Sequence, residues 1–210
     1  MSKKTKIDLE SWNRKEHFSF FSSMEEPFFG ITVTINCTKA YQKSKEIKVP
    51  FFDYYLHKTL VAVNKIENFR YRIHDNEVYI YDQINASSTV LRDDNTFGFS
   101  LMNFDEDIFE FSKIVQTEKE RVKSTTGLFT REFGLDNLIH FSTLPWIDFK
   151  SFSHARSFTF PDSCPKISFG KLMDIDSQKT MSMSIHVHHG LIDGYHVGQF
   201  LEQFEIEMNQ

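Results

Sequence analysis

The sequence has little cysteine, no long apolar run and no excess of basic residues. Its 2 cysteines, Cys37 and Cys164, are too few for a disulfide framework, and we expect both to be structural. No stretch reaches the ~18 apolar residues of a membrane span, and residues 1–8 lack the apolar core of a signal peptide. The net charge of -5 argues against a polyanionic partner. From these absences we expect a cytoplasmic protein that binds neither a membrane nor a nucleic acid.

Nucleotide-binding signatures are also missing, since the chain contains neither a Gly-x-Gly-x-x-Gly nor a Gly-x-x-x-x-Gly-Lys run. Apolar and aromatic residues are abundant instead. With 40% hydrophobic residues and 23 Phe in 210 residues, the chain can bury a large core. Because no repeat, low-complexity segment or long linker interrupts it, we expect a single domain over residues 1–210.

Apolar periodicity, together with capping residues, predicts both helices and strands along the chain. The predicted helices run from Ser11 to about Phe21, from Pro50 to near Asn64, from the acidic Asp105–Asp107 start onward, and from Asp193–Gly194 onward. The predicted strands are 30–37, 70–73, 77–81, 96–102, 138–143, 166–172 and 180–189. This order of elements predicts an α/β (α+β) two-layer sandwich with a mixed sheet covered by helices.

Titratable groups are concentrated around His188-His189-Gly190. The preceding run, 181–188, alternates apolar and polar residues as a half-buried strand does, and continuing that period places His189 on the apolar face. A ring that loses solvation there stays neutral and can accept a proton, as a general base must. A buried histidine is also compatible with a hydrogen-bonded core role, so the pattern alone leaves both roles open.

The string from His188 to Gly194, His-His-x-x-x-Asp-Gly, resembles the signature of the chloramphenicol acetyltransferase family. Its His-x-x-x-Asp-Gly part resembles the wider coenzyme A-dependent acyltransferases, including dihydrolipoyl acyltransferase catalytic domains. Further matches follow the family's order along the chain and extend the resemblance over nearly its full length. They are Ser11–Phe18 (SWNRKEHF), Phe141–Trp146 (FSTLPW) and Ser168–Lys171 (SFGK).

The resemblance implies an acetyl-CoA-dependent O-acetyltransferase acting on a hydroxyl of a small molecule, chloramphenicol or a related acceptor, and hence antibiotic resistance. It also implies a homotrimer, in which the histidine of one subunit faces an acceptor pocket built largely by its neighbour. Alternatives are a fold-retaining binding or scaffold protein without turnover, and an acetyltransferase for an unrelated acceptor. A lipoyl-linked acyltransferase is disfavoured because the chain has no lipoyl domain and no Pro/Ala-rich linker.

By this resemblance, His189 is the general base and Ser142 donates a hydrogen bond to the oxyanion. Asp193 matches an aspartate that pairs with an arginine, here Arg14, and Ser168 matches a threonine that helps hold a water. The coenzyme A side would be lined by Tyr54, Trp146 and Lys171, and the acceptor pocket by Phe20, Phe21, Phe29, Phe97, Phe129 and His154. Without the resemblance, Ser142 is a plain strand serine, Asp193 an N-cap and Trp146 a core aromatic.

Pocket positions depart from the family pattern more than catalytic positions do. Phe20-Phe21 stand where the chloramphenicol enzymes carry Phe-Tyr, so a phenolic hydroxyl is missing. The segments 94–98, 152–155 and 190–192 also differ from the usual family residues. The reaction is therefore better indicated than the acceptor. Among the other histidines, His186, His188 and His196 suggest a metal site, but no carboxylate or cysteine cluster completes a recognisable spacing, and we expect no metal.

Overall fold

The structure is a computed structural model of the chain and describes residues 3–132, 136–157 and 162–210. Its α-helices are α1 (Lys15–Ser22), α2 (Thr38–Glu46), α3 (Phe51–Lys65), α4 (Ile108–Lys123) and α5 (Gly194–Met208). Its strands are β1 (Lys4–Lys6), β2 (Phe28–Asn36), β3 (Tyr71–His74), β4 (Glu77–Tyr81), β5 (Asn85–Leu91), β6 (Phe97–Phe99), β7 (Leu138–Thr143), β8 (Lys166–Phe169), β9 (Met173–Ile175) and β10 (Gln178–His188).

Local capping signals explain where the long helices begin. Pro50 is the N-cap of α3, where its missing N–H leaves no helical hydrogen bond unmade. Asp107 caps α4 by accepting from the N–H groups of Phe109 and Glu110. Asp193 caps α5 in the same way. These starts agree with the predictions from sequence.

The helix predicted to start at Ser11 begins later, at Lys15. The Ser11 hydroxyl donates to the Asp8 carboxylate at 2.8 Å and so is not used as a cap. Helix α2 and strands β1, β5 and β9 were not predicted. Helix α2 lies in a lysine-rich segment without a clear apolar period, although it buries Ala40 and Ser44. Strand β5 was missed because its sequence, NASSTVL, lacks an apolar alternation.

The strands form two sheets within the described part of the chain. A small antiparallel sheet has the order β1-β4-β3, and a seven-stranded sheet has the order β2-β10-β8-β7-β5-β6, with β9 paired to β10. The pairs β5–β7 and β7–β8 are parallel and the remaining pairs are antiparallel, so the large sheet is mixed. Helix α3 packs against α2, α4 and α5, which completes the helical layer. The predicted two-layer fold class is confirmed.

The two faces of the large sheet differ in chemistry. Ile139, Ile167 and Ile185 lie on the face that joins the core with α3 and α5. The other face is polar, and strand β10 is buried on both faces from Met181 to Ile185, so the expectation of a half-buried strand was wrong. Among the residues described, no helix is both long enough and apolar enough to cross a membrane.

Candidate active site

His189 occupies the turn between β10 and α5, one residue beyond the strand. Its imidazole stacks on Phe21 with 3.8 Å between ring centroids and 6° between ring planes, and Phe29 lies against it at 4.5 Å. Its backbone N–H donates to the carbonyl of Pro27 at 2.8 Å. Aromatic side chains from α1 and β2 therefore position the ring in the turn that follows β10.

The ring nitrogens of His189 have no hydrogen-bond partner in the part of the chain that the structure describes. Nδ1 is buried and has no hydrogen-bond partner, and no hydrogen bond between described residues uses Nε2. A general base takes a proton from the substrate, so the accepting ring nitrogen must not be held in a hydrogen bond to a neighbouring side chain. The ring has the fixed orientation and the free nitrogen that this role requires.

Arg14 connects the histidine turn to the start of α5. Arg14 Nη1 donates to Asp193 Oδ2 at 2.8 Å, and Nη2 donates to the carbonyl of His189 at 3.3 Å. Burial acts to raise the pKa of Asp193, but the hydrogen bond from Arg14 and the nearby charges outweigh it, so the pKa is lowered. The expected pair of Arg14 with Asp193 is present, and it fixes the backbone of the turn.

Asp193 is also part of a capping box that the sequence analysis did not predict. Its Oδ1 accepts from the N–H of Tyr195 at 3.0 Å, and its own backbone N–H donates to Nδ1 of His196 at 3.3 Å. The signal was present as an aspartate followed three residues later by a polar side chain, although His is an unusual partner in this motif. Asp193 therefore combines the N-cap role and the ion-pair role.

Ser142 lies far from His189 within one chain. The strand register aligns Ser142 with Ser168 on β8 and Ser168 with Ser184 on β10. His189 follows Ser184 by five residues, about 16 Å along the strand, and two strand spacings add about 10 Å sideways. The two backbones are thus about 19 Å apart, a gap that side chains of this size cannot bridge.

His154 and His186 lie on the polar sheet face beside Ser168. The Ser168 hydroxyl and His154 Nε2 are 3.4 Å apart, and the rings of His154 and His186 meet edge-on at 4.9 Å. Burial, with smaller contributions from His186 and other cationic groups, lowers the pKa of His154 to about 4. The His154 ring is therefore neutral near pH 7. It lies beside Ser168 and not beside His189.

The residues expected on the coenzyme A side separate into two environments. Trp146 is 67% exposed, contrary to the default expectation of a core aromatic, and Lys171 is exposed as well. A hydrogen bond from the Lys171 N–H to the carbonyl of Ile147 at 2.9 Å keeps the two loops together. Tyr54 is only 2% exposed and its hydroxyl donates to the carbonyl of Gln210 at 3.3 Å. Tyr54 therefore presents almost no surface to a ligand.

The aromatic residues expected in the acceptor pocket lie at opposite edges of the sheet. Phe20 is exposed on α1, and its ring meets Phe21 edge-on at 5.1 Å beside His189. Phe97 and Phe129 are exposed near β6, at the other end of the strand order. One chain thus brings Phe20, Phe21 and Phe29 to the histidine and leaves the other two aromatics away from it.

Comparison with known proteins identifies the family of this chain. The family model described as chloramphenicol acetyltransferase matches residues 2–205. Chloramphenicol acetyltransferase 3 of Escherichia coli is 29% identical, covering 96% of this chain and 95% of the relative, and a chloramphenicol acetyltransferase of Proteus mirabilis is 28% identical, covering 95% and 92%.

Solved structures extend the comparison to the fold. A chloramphenicol acetyltransferase matches with a TM-score of 0.89 at 27% identity, covering 98% of this chain and 100% of that one. A probable dihydrolipoamide acetyltransferase from Listeria monocytogenes matches with a TM-score of 0.66 at 12% identity, over 92% of this chain and 88% of that one, which shows the fold alone. The chain belongs to the chloramphenicol acetyltransferase family of acyltransferases.

Proposed function

We propose that this protein transfers the acetyl group of acetyl-CoA to a hydroxyl of a small molecule, chloramphenicol or a related acceptor. The observation that carries the proposal is the His189 ring, fixed between Phe21 and Phe29 with no described residue hydrogen-bonded to its nitrogens. The relatives named as chloramphenicol acetyltransferases support the choice of acetyl group and acceptor. We also propose that residues 1–210 form one domain of this family.

The proposed reaction is direct general-base catalysis. His189 takes the proton of the acceptor hydroxyl as its oxygen attacks the thioester carbonyl, and Ser142 donates a hydrogen bond to the oxyanion that forms. When the tetrahedral intermediate collapses, the C–S bond breaks and the departing thiolate takes the proton back from His189. Arg14 and Asp193 hold the turn that carries the base. Ser168 lies next to Ser142 in the register, where it is suited to hold a water.

A second copy of the chain is needed for this mechanism, and we propose a homotrimer. His189 and Ser142 are about 19 Å apart within one chain, so they can meet only across an interface. The exposed Phe97 and Phe129, at the sheet edge away from His189, are suited to complete the acceptor pocket of a neighbouring subunit. Sedimentation should give a trimer, and activity should vanish on dilution to monomers. A fully active monomer would contradict the proposal.

Coenzyme A would bind beside the exposed Trp146 and Lys171, which neighbouring loops hold together. The indole would pack on the pantetheine arm, and the ammonium of Lys171 would meet phosphate or adenine polar groups. Tyr54 would act from the interior, by supporting the C-terminus through its bond to Gln210.

Coenzyme A release with a panel of hydroxylated acceptors, chloramphenicol among them, tests the function. His189→Ala should lower turnover by ~10²–10⁴-fold and Ser142→Ala by ~10²–10³-fold, whereas Cys37→Ala should stay active. An unchanged turnover number in His189→Ala would overturn the mechanism. A labelled acetyl group retained on the protein without acceptor would indicate a covalent route. Acceptor binding with no release would favour the non-catalytic alternative.

Chloramphenicol is expected to be a weaker substrate here than for the Escherichia coli relative. Phe21 lacks a phenolic hydroxyl, and a lost hydrogen bond is worth roughly 0.5–1.5 kcal/mol, about a threefold to tenfold effect. Phe21→Tyr should therefore raise kcat/KM for chloramphenicol by that factor. If the native protein already equals the relative and Phe21→Tyr changes nothing, this interpretation of the pocket is wrong.

A further inference from the structure

We propose that Arg156 is a positioning residue for the base His189, through a clamp on the start of β2 that it forms with Glu26 and Phe28. The proposal rests on the proposed acetyl transfer and extends it to a residue that no sequence motif singled out. Arg156 lies in the loop that joins β7 to β8. Among the described residues, its ion pair and its ring contact are made with Glu26 and Phe28 and not with His189.

The start of β2 supports the base from one side. The carbonyl of Pro27 accepts from the His189 N–H at 2.8 Å, and the ring of Phe29 lies 4.5 Å from the imidazole. Phe28 stands between these two residues. It is paired with His188 in the strand register, and the two rings meet edge-on at 5.6 Å. A shift of Phe28 would therefore disturb both contacts of the base.

Two cations lie on the ring of Phe28. Arg156 Cζ is 3.5 Å and Lys166 Nζ is 4.6 Å from the ring centroid. Both are attracted by the negative face of the aromatic ring. Lys166 is itself fixed, because its ammonium pairs with Asp162 and donates to the carbonyl of Cys164 at 3.0 Å. The ring is thus tied to β8 through Lys166 and to the loop through Arg156.

Glu26 completes the clamp on the other side of Pro27. Arg156 Nη1 donates to Glu26 Oε1, and the same oxygen accepts from the Phe28 N–H at 3.1 Å. The Arg156 side chain is only 11% exposed, and its buried Nε has no hydrogen-bond partner within the described residues. The ion pair and the aromatic ring therefore hold the guanidinium. A planar guanidinium can stack on a ring while it pairs with a carboxylate, which suits arginine better than lysine.

Loss of the clamp should affect the chemical step more than substrate binding. A misplacement of about 1 Å at a reacting group can cost ~10²-fold in rate. Because the position of His189 matters for proton transfer, kcat should fall while KM for acetyl-CoA and for the acceptor stays near the native value. A residue that merely tethered the loop would change stability and leave kcat of the folded protein unchanged.

The kinetic test compares Arg156→Met with a matched control, Lys179→Met. Lys179 makes the same two kinds of contact at the far end of β10, since its Nζ pairs with Asp174 at 2.9 Å and lies 4.7 Å over the ring of Tyr41. Arg156→Met should lower kcat about tenfold with each KM within about twofold, and Lys179→Met should leave both unchanged. Arg156→Lys, which keeps the charge opposite Glu26, should restore kcat to within about threefold of native.

A spectroscopic test follows the base without any turnover. Phe21 is stacked 3.8 Å from His189, so its ring current shifts the NMR signals of the His189 ring upfield, and His189→Ala identifies those signals. Arg156→Met should reduce this shift in the folded protein, whereas Lys179→Met should not. If Arg156→Met does not fold, Glu26→Gln, at a carboxylate that is 45% exposed, is compared with Lys179→Met by both readouts.

An unchanged kcat together with unchanged His189 signals in folded Arg156→Met would overturn the proposal. A raised KM at native kcat would also overturn it, because Arg156 would then bind substrate instead of placing the base. If the native protein releases coenzyme A with no acceptor, the proposed function fails, and the NMR comparison alone decides whether the clamp holds His189.

Discussion

Asp193→Asn is expected to destabilise the protein by about 2–3 kcal/mol through the loss of one charge. The Arg14 side chain is 9% exposed and that of Asp193 28%, with 2.8 Å between Nη1 and Oδ2. Breaking a buried pair costs ~3–5 kcal/mol and an exposed one ~0–1 kcal/mol, and this pair lies between those limits because Asp193 reaches solvent. Asparagine caps helices about as well as aspartate, so Asp193→Asn keeps the α5 cap and the expected destabilisation comes from the ion pair.

Calorimetry measures the effect directly. In a chain of this size 1 kcal/mol shifts Tm by about 2–4 °C, so Asp193→Asn should lower Tm by about 4–12 °C. The matched control is Asp107→Asn at the N-cap of α4, which makes no ion pair within the described residues and should shift Tm by less than about 2 °C. Arg14→Ala should resemble Asp193→Asn, and the double variant should lose less than the sum of the two.

Activity provides a second readout. Because Arg14 also donates to the His189 carbonyl, both variants should lower kcat more than they raise KM. Additive losses of stability, or an Asp107→Asn shift as large as that of Asp193→Asn, would refute the reasoning. Additive losses would mean that Arg14 and Asp193 act independently, and an equal Asp107→Asn shift would mean that the loss comes from removing a charge at a helix N-terminus and not from breaking the ion pair.

Two further predictions concern the polar sheet face and the glycines. Burial lowers the pKa of both His154 and His188 from 6.5 to about 4. Between these pH values the unfolded chain therefore binds more protons than the folded chain. Stability should therefore fall as the pH is lowered from 6.5 toward 4, by at most about 1.4 kcal/mol per pH unit for the more buried His188 and by less for His154, which keeps more of its solvation. In denaturant titrations at several pH values a His154→Asn, His188→Gln double variant should show a flatter decline. Gly30→Ala should cost about 1–3 kcal/mol, because a Cβ there would lie 2.4 Å from His186 Nε2. Gly198→Ala on α5 should stabilise the protein by about 0.5–1 kcal/mol, because no described neighbour lies within 4 Å of the added Cβ. Equal thermal shifts for the two glycine variants would contradict this account.

Local signals allowed α3, α4 and α5 to be predicted, since Pro50, Asp107 and Asp193 each stand at the start of an apolar helical period. Strand β5 could not be found in this way. Ser88 is buried there because Ser100 satisfies its backbone, accepting from its N–H at 3.1 Å and donating to its carbonyl at 2.7 Å. These hydrogen bonds come from the residue that follows β6, so the sequence of β5 alone cannot predict them.

The site shows the same division between local and long-range information. The motif around His189 and its pairing of Asp193 with Arg14 were predicted from the resemblance, because they depend on residue identity. The Phe21 stack was not predicted, since it depends on how α1 lies against the end of β10. The alternation of β10 was extended one residue too far, because the chain turns at His189. Burial of Tyr54 follows from the packing of α3 against α5, which no motif encodes.

The register that separates Ser142 from His189 has a genetic consequence under the proposed assembly. A chain without His189 still contributes Ser142 to its neighbour, and a chain without Ser142 still contributes the base. When both defective chains are made in one cell, random mixing of equal amounts gives about a quarter of the sites an intact pair. Two alleles that are each defective alone would then complement one another, because the mixed assembly has active sites that neither chain forms by itself.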